Sequence, residues 1–103
     1  MNKKELFQSD NESLKADYLM GAILYDELSK ERTKAISKEQ AEKLTDKEIE
    51  AIFLYSFVED LNFEENSIAT DSIAICADVL VDRHPPEEPV EESLRKFKEK
   101  YGI

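Results

Sequence analysis

The chain has 103 residues, a net charge of −10, 37% charged residues and only two glycines, which suits one domain and excludes the many turns of an all-β fold. The charge is uneven, at −1 over residues 1–45, −12 over 46–92 and +3 over 93–103, and so acidic a centre disfavours direct nucleic-acid binding, which needs a basic footprint. A lone cysteine, Cys76, excludes an intrachain disulfide and a cysteine-rich zinc site.

The opening "MNKKELFQSD" has no apolar run of the secretory kind, and residues 1–10 are expected to be an N-terminal arm. From Ser9 a helix is expected over about residues 11–34. Ser9 with Glu12 fits the S-x-x-E cap, and Asp10 and Asn11 are further cap candidates. Leu14, Tyr18, Gly21, Tyr25 and Leu28 follow at helical spacing, and Leu19, Ala22 and Leu24 widen that stripe. "SKEQAEKL" predicts a short helix capped by Ser37, with Ala41 and Leu44 as its apolar edge.

Thr45 and Glu48 form a second capping box, opening a helix over 46–61. Ile49, Ile52, Phe53 and Phe57 mark one side of it, and Leu54, Tyr55, Val58 and Leu61 extend the apolar surface almost all round, as in a central helix. "NFEENS" is its polar exit loop. Residues 68–82 fit two periods. Ile73, Ile75, Ala77, Val79 and Val81 alternate as in a strand, whereas Ile68, Ser72, Ile75, Cys76, Val79 and Leu80 share a helical face. Length favours helix, because a lone strand could not satisfy its backbone groups.

"VDRHPPEEPVEE" holds the only histidine and all three prolines. Pro85 biases His84 out of the helical region, so the preceding helix should stop there. Pro89 suits the first turn of the next helix, and residues 83–89 read as an interhelical linker. In "PVEESLRKFKEKYG", Val90, Leu94, Phe97 and Tyr101 form a stripe and Gly102 a stop. The expectation is an all-α, single-domain bundle of four to five helices. Its core should hold Leu14, Tyr18, Leu28, Ile49, Ile52, Phe53, Phe57, Ile75, Cys76, Leu80, Leu94 and Phe97.

No chemistry-bearing motif stands out. Asp71, Asp78, Asp82 and His84 are the only metal candidates, and they lack the spacing of any H-E-x-x-H, E-x-x-H or EF-hand pattern. Cys76 and His84 are eight residues apart, about 12 Å of helical rise, too far for a nucleophile and its base. Glycine-rich phosphate loops are absent, and neither an enzyme nor a cofactor is expected. The apolar runs "YLMGAILY" and "IAICADVLV" fall short of the roughly 20 residues of a membrane span, so a cytoplasmic protein is expected.

An acidic field attracts cationic partners. The expected function is binding, with inhibition or neutralisation, of a basic protein such as a nuclease or another nucleic-acid enzyme, in the manner of an immunity protein, an inhibitor or a DNA mimic. Glu59, Asp60, Glu64, Glu65, Asp78, Asp82, Glu87 and Glu88 are the expected contacts. "LTDKEIEAIFLYSFVED" and "PVEESLRKFKEKYG" resemble the nuclease-colicin immunity proteins in composition over about a third of the chain. That resemblance implies a small acidic helical bundle, though the Tyr-Tyr pair those proteins carry on a short third helix is missing. The alternative is a structural or regulatory helical subunit that homo-oligomerises through its apolar faces, with no inhibitory role, and a homodimer is expected through apolar surface left uncovered on the helix at 46–61.

Overall fold

A computed structural model describes residues 3–59, 65–85 and 89–101, leaving out the side chains of Val90, Ser93, Leu94 and Tyr101. Six α-helices lie among the described residues: α1 (Lys3–Gln8), α2 (Glu12–Leu28), α3 (Lys38–Glu42), α4 (Asp46–Glu59), α5 (Ser67–Arg83) and α6 (Val90–Tyr101). The all-α class agrees with expectation, with one helix more than foreseen. The addition is α1, formed by residues read from the sequence as an arm; its Leu6 is fully buried, Phe7 stands edge-on to Tyr18 at 5.4 Å between ring centroids and Lys3 pairs with Glu59, and these contacts secure the turn.

The helix starts follow local hydrogen bonding. Asn11, not Ser9, caps α2, its side chain accepting from Leu14 N at 3.0 Å. Asn66 caps α5 in the same way, accepting from Ala69 N at 3.1 Å. Ser37 and Gln40 make a reciprocal capping box on α3, and Thr45 and Glu48 exchange bonds of 3.1 and 2.8 Å at the start of α4. Residues 68–82 are helical throughout, so the alternation compatible with a strand is incidental.

α4 is the centre of the fold. Ile49 and every residue from Ala51 to Ser56 are buried, as is Val58. Its closest neighbour is α2. At their crossing the backbones approach so nearly that a Cβ on Gly21 would lie 2.0 Å from the Ala51 carbonyl oxygen. Only glycine admits that separation. α5 packs on α4 and α3. Phe97 of α6 stands edge-on to Phe53 at 5.7 Å between ring centroids and 6.0 Å from Phe57, while Lys98 Nζ lies 4.5 Å from the Phe57 ring centre. The Cα radius of gyration, 13.0 Å, is that of a single folded unit of this length.

Half of the expected core is fully inside, namely Leu14, Tyr18, Ile49, Ile52, Phe53 and Cys76, joined by Leu6, Tyr25, Ile36, Leu44, Leu54 and Tyr55. Leu28, Phe57, Ile75, Leu80 and Phe97 are half-buried against it, and the Leu94 side chain lies outside the described residues. Two expectations need correction. The helix at 46–61 leaves no large apolar side chain exposed among the described residues; the exposed ones are Phe7 (45%), Leu19 (51%) and Ile23 (61%), on α1 and α2. Leu19 therefore does not widen the buried stripe of α2, because one helix turned towards α4 buries little more than the Leu14–Tyr18–Gly21–Tyr25 line.

The helix expected over 11–34 also ends early, at Leu28. Glu31 N donates to Asp26 O at 2.7 Å and Lys30 N to Glu27 O at 3.3 Å, which is a Schellman stop with Lys30 (φ 48°) where glycine is usual. Glu31 and Arg32 are left-handed as well (φ 57° and 69°). Side-chain contacts hold this turn. The buried Ser29 hydroxyl donates to Tyr25 O and accepts from Arg32 N. Arg32 Nε donates to Asp26 Oδ1 at 3.1 Å, its Nη2 donates to the Tyr55 hydroxyl, and its guanidinium carbon lies 5.9 and 5.7 Å from the Tyr25 and Tyr55 ring centres. After the turn, Ile36 N donates to the buried Ser72 hydroxyl at 2.9 Å, tying the connection to α5.

Candidate functional site

Of the expected contact residues, Glu59, Glu65, Asp78 and Asp82 are described, and these four do not share one surface. Asp60, Glu64, Glu87 and Glu88 lie outside the described residues. Glu65 is exposed just before α5, roughly 25 Å of helical rise from Asp82 at the other end. Asp78 and Asp82 are exposed on the outer face of α5, and Asp71 joins them two turns earlier. At spacings of seven and four these three carboxylates fall on one stripe. Asp82 is approached by Lys38 at 3.8 Å, a pair between two exposed side chains; Asp71 and Asp78 make no ion pair with another described residue.

Glu59 is engaged inside the fold. It ends α4, accepts a hydrogen bond from the Tyr18 hydroxyl of α2 and pairs with Lys3 of α1 at 3.0 Å. The Tyr18 bond, followed by Lys3, holds its carboxyl below the usual glutamate range. In turn, burial first and the Glu59 carboxylate second push the Tyr18 hydroxyl well above the ordinary tyrosine value. Tyr25 and Tyr55 are raised too, by burial above all, so the three aromatic hydroxyls remain neutral hydrogen-bonding groups. Nothing local in the sequence marks Glu59 as structural, because its tyrosine partner is 41 residues away.

The histidine of the proline-rich stretch is structural as well. His84 caps α5, its N–H donating to Leu80 O at 2.8 Å, and its Nε2 lies 2.6 Å from Asp46 Oδ2. Arg83 Nη1 donates to the other Asp46 oxygen at 2.9 Å and Nη2 to Glu42 O at 2.8 Å. Bonds from His84 and then Arg83 hold the Asp46 carboxyl below its usual range. One carboxylate thereby joins the start of α4 to the end of α5.

Between α2 and α4 lies a cleft of about 350 Å³ lined by Asp17, Asp46, Lys47, Glu50, Ala51 and Leu54. Asp17 and Glu50 escape a sequence reading, since no motif sets them apart from other surface acids. Lys47 reaches Asp17 at 3.9 Å across the cleft, and Asp46 is already bonded to Arg83 and His84, so its charges are largely met from within. The one thiol, Cys76, is buried in the core, where desolvation pushes it up to about 12. Among the described residues no group of three or more His, Cys, Asp or Glu is placed to hold a metal ion, and no helix is long and apolar enough to cross a membrane.

No protein-family model, no curated protein and no solved structure matches this chain.

Proposed function

We propose that the chain is a non-catalytic interaction protein that binds a basic, nucleic-acid-handling protein and inhibits or neutralises it, with the exposed face of α5 as the contact. The reading rests on the Asp71–Asp78–Asp82 stripe. It runs about 16 Å along one side of the helix, and two of its three carboxylates have no cation among the described residues. Like charges four residues apart, as at Asp78 and Asp82, destabilise a helix by about 0.2–0.5 kcal/mol, a repulsion that a cationic partner would relieve. The net charge of −10 adds a long-range field that would steer such a partner in. Glu59 is not among the proposed contacts, because Tyr18 and Lys3 already occupy it.

The test is capture from the host's own extract at low and high salt, with mass spectrometry of what is retained. The expected result is a nuclease, polymerase or similar enzyme that is held at low salt, released at high salt and lost when Asp78 and Asp82 are both replaced by lysine. Circular dichroism of that variant checks that the helices persist. Retention unaffected by the double replacement would rule out the α5 face.

A further inference from the structure

The outer face of α2 carries an apolar ridge left exposed among the described residues. Leu19 and Ile23 are 51% and 61% exposed, and Ala16 lies beside them on the same side. Exposed single apolar residues are ordinary on a protein surface. Here two large ones stand a turn apart, and charged residues continue the face at both ends, with Glu12 and Lys15 before the ridge and Glu27 after it. Glu12, Ala16, Leu19 and Ile23 follow a four-three-four spacing, the seam of helices that pack at about 20° and stay in contact along their length.

We propose that this face is a homodimer interface in which α2 of two copies pairs antiparallel about a two-fold axis level with residue 21. In that register Leu19 meets Ile23 of the second copy and Lys15 meets its Glu27. Symmetry makes each contact twice. A parallel arrangement would set Lys15 against Lys15 and Glu27 against Glu27. The order of charges along the helix, Lys15 before the ridge and Glu27 after it, is thus complementary to its own reverse. The existing Glu12–Lys15 pair, 3.4 Å and exposed at Glu12, is of the kind that contributes little and exchanges readily. The residues that fix α2 to α4, Tyr18, Gly21 and Tyr25, are on its other side and are undisturbed. A single helical ridge is narrower than the roughly 800 Å² per partner of a standard interface, which places the association in the micromolar range or weaker.

This interface is independent of the α5 reading, since the two surfaces lie on different helices and carry opposite character. Sedimentation of the full chain at rising concentration tests it. The work is done at physiological ionic strength, where repulsion between two chains of charge −10 is screened within about 8 Å. The mass should climb from 11.9 kDa towards twice that value. Ile23→Glu should weaken association at least about tenfold by placing a charge in the ridge. Lys15→Glu alone and Glu27→Lys alone should each weaken it about three- to tenfold, and the double variant should recover to within about threefold of the parent, because the swap restores complementarity. None of the three sites, Lys15, Ile23 and Glu27, is among the buried residues of α2, so dichroism and melting of each variant should match the parent. A chain that remains monomeric at the highest concentration overturns the proposal. So does an Ile23→Glu protein that dimerises as before, or a double swap no better than either single change.

Discussion

α2 and α5 are near twins in construction and opposites in surface. Each has 17 residues, each is capped by an asparagine that accepts from the third backbone N–H, and each packs one face on α4. Outward, α5 shows Asp71, Asp78 and Asp82, whereas α2 shows Leu19 and Ile23. Their inner faces differ too. α2 meets α4 at glycine with its backbone almost touching, while α5 uses side chains, among them Ile73, Cys76 and Val79, and a serine that bonds across to a loop. Equal length and equal caps therefore do not make equal roles. The residues at four or five positions decide whether a helix is a backbone-tight partner with an apolar exterior or a side-chain-packed one with an acidic exterior.

Substitution at the two inner faces should separate them most strongly. Gly21→Ala forces apart the α2 and α4 backbones and should destabilise the fold by about 3 kcal/mol in denaturant unfolding, the upper end of overpacking effects. A loss below about 1 kcal/mol would mean that the α2–α4 crossing gives way easily. On α5, Ser72→Ala leaves the Ile36 N–H without its buried partner and should lower stability by about 2 kcal/mol. The accompanying sign is faster amide exchange at Ile36 than in the parent.

The caps test what the helices share. Asn11→Ala and Asn66→Ala should each reduce stability by about 1 kcal/mol, in line with other N-cap removals. Unequal losses would show that one helix gains more of its stability from packing than from its start.

The smallest expected effects are electrostatic, at the two ends of α4. Glu59 links it to α2 through Tyr18, and Asp46 links it to α5 through Arg83 and His84. Both carboxyls are held below their unfolded values, so the folded state binds protons less readily than the unfolded one. Their contribution is therefore complete above the ordinary carboxylate range and is lost as pH falls below about 4 towards the folded values. Glu59→Gln and Asp46→Asn should each flatten part of that acid limb in a series of unfolding curves against pH, with little change near neutrality beyond the loss of the bond itself.

Local signals in the sequence carried the starts of α3 and α4. The Ser37 cap and the Thr45 box are patterns confined to four residues, and the structure uses both. Length resolved residues 68–82 as helix despite the alternating pattern. The end of α2 was not legible, because Lys30, Glu31 and Arg32 are left-handed through contacts of Arg32 with Tyr25 and Tyr55, one of them 23 residues away. α1 was missed because the partners that hold it, Tyr18 and Glu59, are far away in the sequence and Leu6 is the only residue in it that is buried. The acidic stripe of α5 could be drawn from spacing alone, but the retirement of Glu59 into the fold and the exposure of Leu19 depend on which face α2 turns to α4. That choice is made at Gly21, where the sequence shows only a missing side chain.

Cys76 gives the molecule a built-in clock. Fully buried between α4 and its neighbours, and with its proton held up to about 12, it offers almost no thiolate to an alkylating reagent while the fold is closed. Labelling must await an opening that brings α5 out of the core. Because the chain has no other sulfhydryl, the rate of its modification counts those openings one molecule at a time, with no probe added and no residue changed.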